Sequence, residues 1–262
     1  MNSEAEKNAD RFLGFSDIYE QARPAMPTYP VNIIKKYFGG KPDKVIDLGC
    51  GTGLSTFIWE NHCNSVIGID PNEEMLSVAR KKQTSSVSFR QAFSHETGLE
   101  DNFADVVMCA QSFHWMEPTQ TLAEINRILK TNGIFVAIDY DLPPVCSWQA
   151  EKAYDELFHQ VELIEQANTA FKESFIQWDK NNHLNNIKNS GYFRFAREIV
   201  FSNTEKCTSE RLINLALSQG IIKAGPELIS GYIAAYRNVI NDIFGDKEFD
   251  ADFCYRMRIG VK

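Results

Sequence analysis

Three glycines alternate in the stretch VIDLGCGTGLS, at Gly49, Gly51 and Gly53, directly after a short apolar run. Glycine costs backbone entropy wherever it stands. Three in five positions therefore imply a tight turn with something brought close to the main chain. In an open α/β sheet, ligands bind beyond the carboxyl ends of the strands, and the turn after the first strand is the usual place. A helix starting behind the turn, here read over LSTFIWENH, would add free N–H groups that favour an anion. The next apolar run, SVIGID, ends on Asp70 and is stopped by Pro71. An aspartate there accepts two hydrogen bonds from the vicinal hydroxyls of a ribose.

Two ligand classes present an adenosine diol in this way: a nicotinamide or flavin dinucleotide, and S-adenosylmethionine. The dinucleotide fingerprint is G-x-G-x-x-G, whose third glycine lets the helix pack on the strand. Leu54 occupies that position here. Asp47, just ahead of the turn, is awkward beside a pyrophosphate but suits the ammonium of an amino acid. Leu54 and Asp47 together favour S-adenosylmethionine over a dinucleotide.

On these residues the chain resembles the class I S-adenosylmethionine-dependent methyltransferases. VIDLGCGTG is similar to their motif I and VIGID to the acidic end of their second strand, within a likeness that spans residues 43–140. YEQARPAMPTYP and AQSFHWME further resemble the trans-aconitate methyltransferase-like (methyltransferase type 11) subgroup. The resemblance implies a cofactor site in which Gly49, Cys50, Gly51 and Gly53 line the methionine end and Asp47 contacts it. Asp70 would hold the ribose, with Pro71 beside it and Met75 flanking the adenine. Many relatives place an acid on the adenine through a D-A-E segment; Ser94, His95 and Glu96 stand there, so that contact falls to Ser94 or the His95 amide. Gln111 would approach the methionine moiety. Tyr19 and Arg23 would come over the site from the N-terminal segment, Arg23 pairing with the cofactor carboxylate or a substrate acid.

The acceptor side rests on His114, Trp115 and Arg23. A carboxylate acceptor is ionised at pH 7 and needs a cation rather than a base; Arg23 is that cation. A phenol or amine would need a general base, and an ordinary histidine titrates near working pH, which suits His114. The resemblance tilts toward O-methylation of a small acid. Two other readings stay open: a nucleotide-binding module without turnover, and an NAD-type oxidoreductase, which Leu54 and Asp47 oppose. Cys50 reads as a small buried thiol, since no base is spaced to serve it. Asp139 and Asp141 are too few for a metal site, and none is expected. His62, His159 and His183 read as surface residues.

These residues need a scaffold. Strand and helix patterns alternate from about residue 43 to 140, and the near-continuous apolar strands point to a parallel sheet covered on both faces. This predicts a doubly wound, Rossmann-like α/β sheet of seven strands, mostly parallel, with one antiparallel strand near the edge. The expected organisation is one methyltransferase domain over 1–262: an N-terminal segment over the site (1–40), the cofactor-binding core (43–140), helical cap insertions (141–190 and 203–248), and late strands (191–202 and 251–262). KNNHLNNIKNSG reads as a polar loop between them.

With 262 residues, one elaborated core is the default. The net charge of −8 argues against nucleic acid as the main partner. Six scattered cysteines without C-x-x-C spacing suggest reduced thiols. No apolar run approaches a membrane span, and the polar start is unlike a secretory signal. The expectation is a cytoplasmic monomer or homodimer acting on a small molecule, with no membrane or nucleic-acid partner.

Overall fold

The apolar runs become the middle of one sheet. The computed structural model describes residues 8, 22–167, 176–219 and 226–262. Its strands are β1 (Lys44–Leu48), β2 (Ser65–Asp70), β3 (Val87–Gln91), β4 (Ala104–Ala110), β5 (Leu129–Tyr140), β6 (Phe195–Cys207) and β7 (Phe249–Val261), in the order β3-β2-β1-β4-β5-β7-β6. The first five are parallel, and β7 runs antiparallel between β5 and β6. This is the doubly wound seven-stranded sheet read from the sequence. Strand order reverses between β1 and β4, which opens a crevice at their carboxyl ends.

Alternate residues of the central strands feed two cores, as the period of two requires. Val45, Val106, Met108, Val136 and Ile138 share a core with α1 (Tyr29–Phe38), α4 (Trp148–Ala167), α6 (Ser209–Leu217) and α7 (Pro226–Phe244). Ile46, Leu48, Val107, Cys109 and Phe135 share the other with α3 (Pro118–Ile128) and α5 (His183–Asn189). The remaining helix, α2 (Glu73–Arg80), lies against β2 and β3. The Asn72 side chain caps α2 by accepting from the Met75 amide at 3.1 Å. Glu73 and Glu74 in its first turn and Arg80 in its last complement the helix dipole. The six cysteines are free, and no described helix is long and apolar enough to cross a membrane.

Three expectations are corrected. LSTFIWENH forms no α-helix, only a single 3-10 turn at Phe57–Trp59. The hydroxyls of Ser55 and Thr56 turn back to Asp47, each at 2.7 Å, and such local bonds compete with helix formation. No α-helix N-terminus therefore stands behind the glycine turn. KNNHLNNIKNSG is a 3-10 turn (Lys180–Asn182) followed by α5, held by the burial of His183 and Ile187 one helical turn apart. Two buried side chains are too weak a stripe to show in so polar a sequence. The late strands are also shifted from 191–202 and 251–262 to Phe195–Cys207 and Phe249–Val261, because β6 and β7 pair without interruption from Phe195↔Val261 to Cys207↔Phe249.

Candidate active site

A cleft of about 310 Å³ opens at the carboxyl ends of β1, β2 and β4. Gly49 and Gly51 form one wall, with Asp70, Pro71 and Met75 from the β2–α2 junction beside them. Ser94 and His95 line it after β3, and Gln111 and Trp115 after β4.

The three glycines serve different ends. At Gly49 (φ +70°) a Cβ would lie 2.5 Å from the Ser112 Cβ, and at Gly53 (φ +88°) 2.8 Å from the Phe57 ring. Those two are required by the protein's own packing. At Gly51 (φ +54°) a Cβ would meet nothing within 4 Å, so its bare backbone faces open space in the cleft. Gly49→Ala is therefore expected to cost about 1–3 kcal/mol in overpacking alone. Gly51→Ala should cost about 1–2 kcal/mol of backbone strain and act mainly on whatever enters the cleft. Thermal melts of the two variants, with and without ligand, separate these effects.

Asp70 ties the turn down. Its Oδ2 accepts from the Gly51 amide at 2.9 Å and its Oδ1 from the Asn72 amide at 2.8 Å. A carboxylate has about four lone-pair positions, so acceptor capacity remains. Burial pushes its pKa up to about 6 against the pull of these two amides.

Several predicted residues sit elsewhere. Asp47 is fully buried beneath the turn, not among the cleft-lining residues. Its Oδ2 is held by Ser55 and Thr56 while Oδ1 has no hydrogen-bond partner among the described residues, and burial raises its pKa to about 7. Cys50 and Gly53 also lie behind the lining; the Cys50 thiol packs where a Cβ on Gly68 would be, and burial pushes its pKa up. Arg23 is spent on structure: its guanidinium donates to Ser218 Oγ at 2.9 Å, to the Ser218 carbonyl at 3.0 Å and to the Tyr140 hydroxyl at 2.7 Å. Tyr19 lies outside the described residues.

The 3-10 turn at Phe113–Trp115 splits the predicted acceptor pair. Trp115 lines the cleft, whereas His114 is buried behind it. His114 Nδ1 stands 3.3 Å from Asp139 Oδ1, and His183 Nε2 stands 3.6 Å from Asp139 Oδ2. Burial, with Lys180 adding to it, pushes the His114 pKa down to about 4; burial does the same to His183. Both imidazoles are therefore neutral at pH 7, and His183, read as a surface residue, is fully buried. Burial alone would raise the Asp139 pKa, but the His114 imidazole and the Lys180 ammonium hold it below the usual range. Arg258 Nη1 donates to Asp139 Oδ2 at 2.8 Å. The three groups lie within metal-ligand spacing of one another, but a divalent ion there would sit against the Arg258 and Lys180 cations.

Residues that the sequence reading missed complete the cleft. Asn8 Nδ2 donates to the Trp115 and Ile176 carbonyls at 2.9 and 2.8 Å, and the Trp178 amide donates to the His114 carbonyl at 2.9 Å. Asn8 and Trp178 both line the cleft, as does Phe93, on which His95 stacks at 5.6 Å. A lone tryptophan in the polar run QWDKNN was the available signal for Trp178. Ser94 shares a hydroxyl contact with Thr121 at 3.0 Å.

Part of this chain is similar to known proteins. Residues 46–137 match the family model described as a methyltransferase domain. A probable S-adenosylmethionine-dependent methyltransferase of Saccharomyces cerevisiae is 32% identical over 131 residues, covering 48% of this chain and 45% of that protein. The chain thus spans about half the length of the curated relatives it matches. Among solved structures, a protein of Anaeromyxobacter dehalogenans provisionally named a type II methyltransferase superposes with a TM-score of 0.69 at 17% identity, covering 91% of this chain and 97% of that one. An N-methyltransferase of Haemonchus contortus, solved with phosphomonomethylethanolamine and S-adenosylhomocysteine, gives 0.55 at 16% identity, covering 100% of this chain and 61% of its own. The fold is that of the Rossmann-like methyltransferases. Within that fold, residues 46–137 are similar to methyltransferase domains, including that of a probable S-adenosylmethionine-dependent enzyme.

Proposed function

We propose that this protein transfers a methyl group from S-adenosylmethionine to a small-molecule acceptor. The observation that carries the reading is the unobstructed Gly51 backbone, held open to the cleft by Asp70 from the neighbouring strand. A ribose diol fits the acceptor capacity left on Asp70. Gly49, Gly51 and Gln111 would bound the methionine end, and Met75, Phe93, Ser94 and His95 the adenine. The bound cofactor supplies an electrophilic methyl on a cationic sulfur. The chain's own task is then to align the acceptor and exclude water, for which Asn8, Trp115 and Trp178 form a cover.

For the acceptor we retain a small carboxylic acid methylated on oxygen. Such an acceptor needs no base, and His114 is buried, neutral and turned away from the cleft. Lys180, which meets Gln111 Oε1 at 2.9 Å from behind the lining, supplies positive charge at that end of the cleft.

Calorimetry with S-adenosylhomocysteine should show one-site binding; no heat at millimolar ligand would remove the reading. Incubation of a metabolite extract with methyl-labelled cofactor should then yield a small product whose label is released as methanol by mild base, as from an ester. A base-stable product would exclude the ester. Binding without any product would leave a nucleotide-binding module.

A further inference from the structure

Gln111 has the least usual backbone in the cleft. Its φ of +53° is left-handed, a conformation that side-chain-bearing residues seldom adopt and that recurs where a site over-determines its geometry. Both ends of its amide are then engaged. Nε2 donates to the Tyr140 carbonyl at 3.1 Å, and Oε1 accepts from Lys180 Nζ at 2.9 Å. One end of an amide only donates and the other only accepts, so these two partners dictate which way it faces. Lys180 lies in the 3-10 turn ahead of α5, outside residues 46–137 and outside the cleft lining. It reaches Gln111 from behind, with its Nζ also 3.5 Å from Asp139 Oδ1. Asp139 is anchored in turn by Arg258 at 2.8 Å.

We propose that Lys180 is a positioning residue of the methyl-transfer site, fixing the Gln111 amide at the methionine end of the cleft through the linkage Asp139–Lys180–Gln111. The proposal rests on the S-adenosylmethionine reading above. An ammonium suits the role because it donates to the amide oxygen while its charge is paired with the Asp139 carboxylate. Methionine or leucine at the same place can neither donate to Gln111 nor pair with Asp139. Freed of Lys180, the Gln111 amide loses the partner that orients its oxygen, although its backbone bond to the Ile138 carbonyl at 2.8 Å remains.

The test is a double-variant cycle read by calorimetry with S-adenosylhomocysteine, using the full chain and thermal melts to confirm folding. Lys180→Met should weaken binding about five- to tenfold. Lys180→Met combined with Gln111→Ala should bind no more weakly than Gln111→Ala alone, because coupled residues are not additive. Lys180→Arg, which keeps a cation and a donor, should recover part of the affinity, while the non-additivity with Gln111→Ala is what a purely structural role would not predict. Lys180→Leu replaces Lys180→Met if the latter does not fold. Wild-type affinity in the folded Met or Leu variant, or losses that add in the double variant, would overturn the proposal. If the wild type itself fails to bind, the cofactor reading falls and this proposal with it. If the wild type binds and Asp70→Asn weakens it while the Lys180 variants do not, only the role of Lys180 falls.

Discussion

Asp139→Ala is expected to lower the unfolding free energy by about 3–5 kcal/mol, the range found when one partner of a buried ion pair is removed. Asp139 and Arg258 are each 2% exposed. Without the carboxylate, the Arg258 guanidinium keeps, among the described acidic residues, only Glu198, whose Oε2 it meets at 2.8 Å and whose side chain is 30% exposed. Urea denaturation with an unchanged m-value is the measurement, since a changed m would signal a different denatured or native state. Replacing both partners by apolar residues, Asp139→Leu with Arg258→Met, should recover most of the loss, because no buried charge is then left uncompensated. A loss under about 1 kcal/mol, typical of exposed pairs, would show that water reaches the pair.

Asp70→Ala should weaken S-adenosylhomocysteine binding by about 1.5–3 kcal/mol, the loss of a charged hydrogen-bond acceptor. The variant also frees the Gly51 and Asn72 amides, so Asp70→Asn, which keeps an acceptor oxygen, is the cleaner comparison. Unchanged affinity in both would place the ribose elsewhere. The pH dependence has a definite sign. Burial raises the Asp70 pKa from 3.8 to about 6, so the group is ionised above that pH and neutral below it. Wild-type affinity should therefore fall as pH drops from about 7 to 5, and that of Asp70→Asn should not follow. Stability moves the other way. The folded carboxyl takes up its proton near pH 6 and the unfolded one near 3.8, so the folded state binds more protons between them. The wild type should gain stability relative to Asp70→Asn as pH falls through that window.

The legible parts of this molecule were those with a local physical cause. The parallel core followed from apolar runs too continuous for a one-faced sheet, and the α2 cap from an asparagine placed ahead of two glutamates. The glycine turn and the acid of the next strand were readable because each depends on a few neighbouring positions. The side chains around them were less so. His114 and Trp115 are adjacent in sequence, yet a single 3-10 turn sends one into the core and the other into the cleft. Asp47 matches the expected motif but lies buried behind the cleft lining, one carboxylate oxygen held by Ser55 and Thr56, eight and nine residues on.

By itself, then, the sequence determined the sheet, its strand types and the end of the sheet where the cleft opens, since periodicity and turn chemistry act over short stretches of chain. Only the tertiary structure decided what the charged side chains do. Arg23 meets Tyr140 and Ser218, Lys180 meets Gln111, and Arg258 meets Asp139, across separations of 69 to 195 residues. Whether an ionisable group faces a ligand or a buried partner depends on burial and on distances between strands and helices far apart in the chain, and no local pattern encodes them.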